Sequence, residues 1–345
     1  MKVNKTLGAL VGSVAVLASY TVEAKTTINM ATSWGGGHFM DLGAKAFENK
    51  LEFLADGDID VVVYVGGTLG NPLTVSESVK TGLADAGHSS PLYDWGANPA
   101  NIMFGGWTGG LTSEQMMNWL YEDGGADLYM KFRLETAGVI EIPCGMTPRE
   151  AGMHSAKPIR TLNDFKGLKI RTAGVWSKIV STLGASPVSL PAAEIFPALE
   201  RGVIDAIEWN SFSLNKAEGF HNVAKYLIVP GIHQPVVVTG CSFNPKVWEN
   251  LTERQRELIK LAARDTTISM YEQIRFDDLD AYRFFKDSGI EIIELDEEVQ
   301  KAVDKSTAEW VAATTEKQGP DSWFVKIYQN QVEFQKKWNS IQKYR

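Results

Sequence analysis

The hydrophobic pattern near the middle of the chain predicts an alternation of strands and helices. Two short apolar runs typical of strands, residues 168–171 and 203–209, enclose two segments with helical periodicity. In the first segment, residues 175–183, apolar side chains recur every three or four positions, and Gly184 follows as a helix end. The second segment keeps Pro197 within its first turn, because proline is tolerated there and not deeper in a helix.

Polar and aromatic side chains stand where these two strands end. Arg171 closes the first strand, and Glu208 and Trp209 close the second. Ligands of open α/β sheets bind beyond the carboxyl ends of the strands. Arg171 also precedes a helix, whose free N–H groups and positive dipole end favour an anion. The stretch therefore predicts half of an anion-binding cleft.

The same alternation extends over the rest of the chain and predicts an α/β fold with mostly parallel sheets. Further strands are predicted at residues 27–34, 59–64, 139–144 and 236–243, and further helices at residues 39–54, 112–132, 252–286, 297–317 and 322–344. The helix over residues 252–286 carries a capping residue, Thr252, and is long enough to run across two domains.

The order of these elements predicts two α/β domains. The chain leaves the first domain after the strand that ends near residue 144 and returns to it by the strand at residues 236–243. Domain I is accordingly assigned residues 25–145 plus 236–270. Domain II is assigned residues 146–235 plus 271–345, including the C-terminal helices.

The first 24 residues have the pattern of a secretory signal peptide. Lys2 and Lys5 precede an apolar run, residues 7–18, and small residues precede the predicted cleavage site after Ala24. A membrane anchor is the alternative, but the run is shorter than the roughly 20 apolar residues that a span needs. The sequence therefore predicts export to the periplasm.

The charge and the cysteine content limit the classes of binding partner and the possible states of the cysteines. The formal net charge is −8, and no lysine or arginine block offers a footprint for nucleic acid. The two cysteines, Cys144 and Cys241, can form a disulfide in an oxidising compartment or remain two buried thiols, and the sequence leaves both open.

No catalytic or cofactor motif is present. The nucleophile elbow, the zinc-protease helix, the paired-cysteine motif and the dinucleotide-binding glycine pattern are all missing. The five histidines are scattered without ligand spacing, so each is expected at the surface or in an ordinary hydrogen bond. No cofactor is therefore predicted. The candidate ligand-binding residues are Arg171, Arg149, Tyr93, Glu208, Trp209, Trp34 and Asn210. On spacing alone, Arg171 is as consistent with a surface arginine as with an anion site.

Several motifs in order resemble the extracytoplasmic solute-binding subunits of TRAP transporters (tripartite ATP-independent periplasmic transporters), and most of all the branch that binds 2-oxo acids and related monocarboxylates. The matching pieces are residues 110–115 (GLTSEQ), 167–171 (GLKIR), 183–185 (LGA), 197–202 (PALERG) and 204–209 (IDAIEW). The resemblance implies two domains that close on a cleft, crossed strands between them, and one long helix that spans both. It also implies a small organic acid and the transporter's membrane subunits as partners.

The resemblance also implies roles for single residues. Arg171 corresponds to the arginine that pairs with the ligand carboxylate, Tyr93 to an aromatic residue of the site, and Glu208-Trp209 to a pair whose glutamate helps to hold a bridging metal ion. Two positions depart from the pattern: Arg149 is expected where the branch tends to have glutamine, and Gln234 where an acid is expected. A guanidinium beside a dication is electrostatically unfavourable, so a metal is not favoured. If an ion is present, its ligands would be Glu208, Trp209 and Gln234.

The resulting hypothesis is a periplasmic solute-binding protein, not an enzyme. It captures a small organic acid, foremost a 2-oxo or hydroxy monocarboxylate, in the cleft between its domains for uptake by a TRAP transporter. The alternatives are a dicarboxylate or sugar acid as ligand in the same role, or an exported enzyme that uses Glu208 as a general base.

Overall fold

A computed structural model gives the fold of the chain, and it describes residues 25–341. The predicted signal peptide, residues 1–24, lies outside the described residues. The strands are β1 (Thr26–Thr32), β2 (Ile59–Tyr64), β3 (Ala86–Ser89), β4 (Ile140–Thr147), β5 (Met153–Ser155), β6 (Lys169–Arg171), β7 (Ser186–Val188), β8 (Ala206–Glu208), β9 (Tyr226–Val229), β10 (Val237–Phe243) and β11 (Glu291–Glu294). The helices are α1 (Lys45–Ala55), α2 (Val75–Thr81), α3 (Ile102–Gly105), α4 (Ser113–Glu122), α5 (Gly125–Ala137), α6 (Trp176–Thr182), α7 (Ala192–Glu200), α8 (Phe212–Ala217), α9 (Pro245–Asn250), α10 (Glu253–Asp287), α11 (Glu297–Gln318) and α12 (Trp323–Asn339).

The strands form two mixed sheets. The first sheet has the order β2-β1-β3-β10-β4, and the second has the order β11-β9-β5-β8-β6-β7. The neighbours of β1 and of β6 run parallel to them. The antiparallel pairs all involve β5 or β10, the strands by which the chain enters each sheet from the other one. These two strands thus make the sheets less parallel than predicted.

The chain passes between the two sheets at three places. Residues 148–152 lead from β4 to β5, residues 230–236 lead from β9 to β10, and α10 leads from the first sheet to β11. The predicted fold class, two α/β units joined by crossing strands and one long helix, is confirmed. The exact domain bounds stay a prediction.

The long helix α10 has 35 residues, which corresponds to about 52 Å at 1.5 Å per residue. It begins with a capping box in which Thr252 and Gln255 exchange hydrogen bonds. Asp265 in its first half forms an ion pair with Lys50 of α1, with an Nζ–Oδ2 distance of 2.6 Å. Asp278 in its second half accepts a hydrogen bond of 2.8 Å from the backbone N–H of Ser213 in α8. The helix therefore contacts α1 with its first half and α8 with its second half.

One detail differs from the predicted elements. The helix predicted over residues 112–132 is two helices, because Gly124 adopts a left-handed conformation with φ of 81° and separates α4 from α5. The last helix, α12, packs on the segment that precedes β4: Gln331 donates to the carbonyl of Met103 (2.8 Å), and Trp119 donates to Asn330 (2.7 Å). Among residues 25–341, no helix is long and apolar enough to cross a bilayer.

The two cysteines form a disulfide. Cys144 in β4 and Cys241 in β10 are bonded, with their Cα atoms 5.3 Å apart and a sequence separation of 97. Both residues are fully buried in the core of the first sheet. Of the two alternatives that the sequence leaves open, the structure contains the disulfide.

Candidate functional site

A small buried cavity of about 30 Å³ lies between the two sheets. The residues that line it are Trp34, Phe39, Ser90, Leu92, Tyr93, Glu150, Arg171, Ala173, Glu208, Trp209, Asn210, Gln234 and Val237. Phe39 follows β1 and Trp209 follows β8, and their rings meet edge to face with centroids 6.0 Å apart. Because the two sides of the cleft touch, the described conformation is a closed one.

Arg171 stands at the end of β6, and only 3% of its surface is exposed. Its Nε and Nη2 donate to the carbonyl of Leu190 (3.3 and 3.2 Å), and its Nη1 donates to the backbone carbonyl of Glu208 (3.3 Å). Its guanidinium carbon also lies 5.4 Å from the centre of the Trp209 ring. Backbone carbonyls orient the guanidinium but do not neutralise it. Arg171 is thus fixed in position as a partner for an anion.

Glu208 ends β8, next to Arg171. Its Oε1 accepts a hydrogen bond of 2.9 Å from the backbone N–H of Ala173 and lies 3.7 Å from Nη1 of Arg171. Burial raises the pKa of this carboxyl, but the neighbouring His233 and Arg171 cations outweigh burial and hold the pKa below its usual value. Glu208 is therefore ionised at neutral pH and counters part of the charge of Arg171.

Glu150 and His233 form a buried pair that the sequence analysis missed. Oε2 of Glu150 lies 2.6 Å from Nε2 of His233, whose ring stacks on Trp176 with centroids 5.2 Å apart. Burial raises the pKa of Glu150 to about 7, although His233 opposes the rise. Burial lowers the pKa of His233, but the Glu150 and Glu208 carboxylates overcome this and raise it to about 9. No motif marks either residue, because a single histidine and a single glutamate far apart in sequence carry no spacing signal.

Arg149 does not line the cavity, contrary to its predicted place. It is exposed, whereas its neighbour Glu150 is buried and faces the cavity. The crossing segment is held by two backbone bonds, from the N–H of Glu150 to the carbonyl of Gln234 (3.1 Å) and from the N–H of Ala151 to that of Asn210 (3.0 Å). This backbone pairing turns the side chains of residues 149 and 150 to opposite sides. The position predicted for a guanidinium therefore holds a carboxylate.

The structure brings the other predicted site residues together at the cavity. Trp34 stacks on Phe39 with centroids 4.5 Å apart and lies 6.4 Å from Tyr93. Burial raises the pKa of Tyr93 although the charge of Arg171 opposes it, so its hydroxyl stays protonated. Asn210 uses its side-chain oxygen to accept from the N–H of Ser211 (2.8 Å).

Trp209 and Gln234 point to what the cavity can bind. The indole N–H of Trp209 is buried and has no hydrogen-bond partner among residues 25–341. An unpaired buried donor is costly, so it favours a ligand that accepts a hydrogen bond. Gln234 donates from Nε2 to the carbonyl of Gly105 (2.9 Å), which fixes the amide and leaves its carbonyl oxygen as the remaining polar atom.

The oxygen atoms of the site fit a hard cation. Glu150, Glu208 and His233 place possible ligand atoms within 4.8 Å of one another, and Gln234 adds an amide oxygen to the cavity wall. Carboxylate and amide oxygens are the ligands that hard cations such as calcium take in proteins. The objection that rested on Arg149 does not hold, because Arg149 is exposed and outside the cavity, although the His233 and Arg171 cations lie beside the carboxylates. His233 is less suited to a hard cation, and its hydrogen bond to Glu150 instead orients that carboxylate.

A cleft closed between two α/β units, with a buried arginine presented at its centre, defines the class of periplasmic-type solute-binding proteins. The chain belongs to family 7 of the bacterial extracellular solute-binding proteins (DctP), whose family model matches residues 30–318. The predicted family is therefore confirmed.

Relatives with known names and structures support the same assignment. The chain is 27% identical over 315 residues to the monocarboxylate 2-oxoacid-binding periplasmic protein of Nostoc sp. (strain PCC 7120), covering 90% of this chain and 85% of the relative. It is similar to a TRAP periplasmic solute-binding protein from Pseudoalteromonas atlantica, solved with sodium and pyruvate, at a TM-score of 0.86 and 27% identity, covering 93% and 97% of the two chains. It is also similar to a TRAP solute-binding protein from Bordetella bronchiseptica, solved with calcium and picolinate, at a TM-score of 0.87 and 25% identity, covering 93% and 95%.

Proposed function

We propose that this protein is the extracytoplasmic subunit of a TRAP transporter and captures a small 2-oxo or 2-hydroxy monocarboxylate. The observation that carries the proposal is Arg171, a buried guanidinium that is oriented by backbone carbonyls and faces a closed cavity. A planar guanidinium suits a carboxylate because it offers two parallel N–H donors. The named relatives bind 2-oxo acids, pyruvate and picolinate, all of which carry one carboxylate.

A monocarboxylate is favoured over a dicarboxylate or a sugar acid. Among the described residues that line the cavity, Arg171 is the one basic side chain. A second ligand carboxylate would face Glu150 or Glu208, and both are acidic. The free indole N–H of Trp209 and the protonated hydroxyl of Tyr93 are suited to the carboxylate or to the adjacent oxygen of the acid. Trp34 and Phe39 enclose the carbon skeleton.

A hard cation at the site is also part of the proposal. The resemblance places Arg149 at a glutamine position, but in the structure the neighbouring Glu150 lines the cavity together with Gln234. The cavity wall therefore offers one carboxylate and one amide oxygen from these two residues. Glu150 and Gln234 would hold the ion from the protein side, with Glu208 adjacent. When bound, the cation would supply positive charge for the ligand oxygen next to the carboxylate.

The export signal and the binding-only role belong to the same proposal. Family members are extracytoplasmic, and the predicted signal peptide would bring this chain to the periplasm. The ligand is expected to leave the protein chemically unchanged, because the Glu208 carboxylate is already engaged by Ala173 and Arg171 and is not placed as a free base.

A thermal-shift screen on the protein from residue 25 onward tests the proposal. The panel contains 2-oxo, 2-hydroxy, dicarboxylic and sugar acids, each with calcium, with sodium and with neither ion. A hit should be a monocarboxylate and should be recovered unchanged by mass spectrometry after long incubation. A new product would refute the binding-only role. A preference for dicarboxylates would refute the proposed ligand class.

A further inference from the structure

A second, larger groove lies on the other side of the crossing segment from the ligand cavity. It has a volume of about 470 Å³, within the range of roughly 300–1,000 Å³ that small-molecule sites occupy. Its apolar wall is formed by Phe212, Val229, Pro230, Leu279, Tyr282 and Ile292. We call this site, together with Arg149 and Arg275 at its edge, the hinge groove.

The hinge groove presents two exposed arginines in an acidic protein. Arg149 and Arg275 both line it, both are exposed, and neither forms an ion pair within 4.0 Å among the described residues. Two acids also line the groove: Asp278 accepts from the N–H of Ser213 and interacts electrostatically with Arg275, and Glu150 turns its side chain to His233. Asp278 offsets part of the charge of Arg275, whereas Arg149 faces the groove as an exposed cation in a chain of net charge −8.

All three connections between the sheets contribute to the walls of the groove. Arg149 lies in the first crossing segment, Pro230 in the second, and Arg275, Leu279 and Tyr282 lie on α10. A domain closure of the hinge type bends such connections and changes the space between them. The shape of the groove in the structure belongs to the closed cleft. A molecule that binds this shape more tightly than the shape in an open form would shift the equilibrium toward the closed form.

We propose that the hinge groove is an accessory site for an amphipathic monocarboxylate, with the carboxylate between Arg149 and Arg275 and an apolar body against Leu279 and Tyr282. Its occupancy favours the closed cleft and thereby tightens ligand binding at Arg171. The second part rests on the proposed function, while the first part does not. The two sites are separated by one peptide unit, since Glu150 faces the ligand cavity and Arg149 faces the groove.

The test uses 4-phenylbutyrate as the probe and its neutral analogue 4-phenylbutanol as the control. Titration calorimetry is performed on the wild-type protein, on Arg171→Ala and on the double variant Arg149→Gln/Arg275→Gln. We expect saturable binding of 4-phenylbutyrate to the wild type and to Arg171→Ala, and roughly tenfold weaker binding to the double variant. Phenylbutanol should bind the wild type and the double variant equally weakly.

The coupling is measured with pyruvate in the presence and absence of saturating 4-phenylbutyrate. The affinity for pyruvate should rise in the wild type and stay constant in the double variant, and the factor should be the same when the roles of the two compounds are exchanged. No saturable binding of the probe, or binding that is lost in Arg171→Ala and kept in the double variant, would overturn the accessory site. Probe binding without any effect on pyruvate affinity would overturn the coupling. Because Arg171→Ala still reports on the groove, failure of the proposed function and failure of the accessory site are distinguishable.

Discussion

Nε2 of His233 lies 2.6 Å from Oε2 of Glu150 inside the closed cleft. The hydrogen bond fixes the Glu150 carboxylate on the cavity side, and the stacking of His233 on Trp176 fixes the ring in turn. Hydrogen-bond partners that orient a ligating carboxylate tune the affinity of a site for its metal ion. The orientation of Glu150 by His233 therefore bears on whether a cation takes part in ligand binding.

We expect ligand binding to depend on a hard cation. After exhaustive chelation in a sodium-free buffer, the affinity for pyruvate should fall at least roughly tenfold. The reason is that two unit charges about 4 Å apart interact by about 1 kcal/mol even in water and by more in a buried site, and 1.4 kcal/mol corresponds to a factor of ten. Calorimetric titration with and without added calcium measures the difference.

The variant Glu150→Gln serves as the matched control for this experiment. It keeps the shape of the side chain but removes the charge, so a higher calcium concentration should be needed to restore binding, by about 10- to 100-fold. Equal pyruvate affinity in chelated and calcium-loaded wild-type protein would show that no ion is needed.

We expect Arg171→Ala to abolish measurable binding of the acid. Removing one partner of a buried ion pair costs about 3–5 kcal/mol, because the other charge is left unpaired. That cost corresponds to a loss of roughly two to three and a half orders of magnitude in affinity. The control is Arg149→Gln, which should change the affinity by no more than about twofold, since Arg149 is exposed and outside the cavity. Near-native affinity in Arg171→Ala would place the ligand carboxylate elsewhere.

The sequence predicts the site best where a regular element positions the side chain. Arg171 and Glu208 end strands and Trp209 follows one. Because ligands of such sheets bind beyond the carboxyl ends of the strands, the convergence of these residues could be predicted. The helix α10 was equally predictable, because its periodicity and its cap are both local features.

The prediction failed where side-chain direction depends on tertiary contacts. Residues 148–152 form no regular element, and the bonds that orient Arg149 and Glu150 come from Gln234 and Asn210, far away in sequence. A shift of one position in such a segment exchanges a guanidinium for a carboxylate. His233 was missed for a related reason, since its role arises only when the fold brings it to Glu150 and Glu208.

The disulfide Cys144–Cys241 should contribute strongly to stability. It closes a loop with a sequence separation of 97, and removal of a native disulfide typically costs about 2–5 kcal/mol, more for long loops in the chain-entropy account. We expect Cys144→Ala/Cys241→Ala to unfold at a lower urea concentration than the wild type. The control for the lost sulfur volume is wild-type protein that is reduced under denaturing conditions and then refolded in reductant. Its urea midpoint should fall by most of the same amount. Equal midpoints for the oxidised and reduced proteins would contradict the prediction.

A buried histidine outside the site should make the protein less stable in acid. His154 in β5 is fully buried between Phe220 and Phe285, and neither of its ring nitrogens has a hydrogen-bond partner among the described residues. Burial, with a further contribution from His221, lowers the pKa of His154 to about 3. In the unfolded chain a histidine has a pKa of about 6.5. Between these two values the unfolded state binds more protons, so the free energy of unfolding falls as the pH is lowered.

The variant His154→Leu should remove this contribution. Its free energy of unfolding should depend less on pH between about 6.5 and 4, by up to about 1.4 kcal/mol per pH unit. At pH 7.5 the variant should be more stable than the wild type by about 1–3 kcal/mol, because an unpaired polar ring is replaced by an apolar side chain. Urea titrations of both proteins at pH 5 and pH 7.5 measure the two effects. His88, whose pKa burial lowers to about 4, is present in both proteins and cancels in the comparison. An identical pH dependence in the two proteins would mean that the pKa of His154 is the same in the folded and the unfolded state.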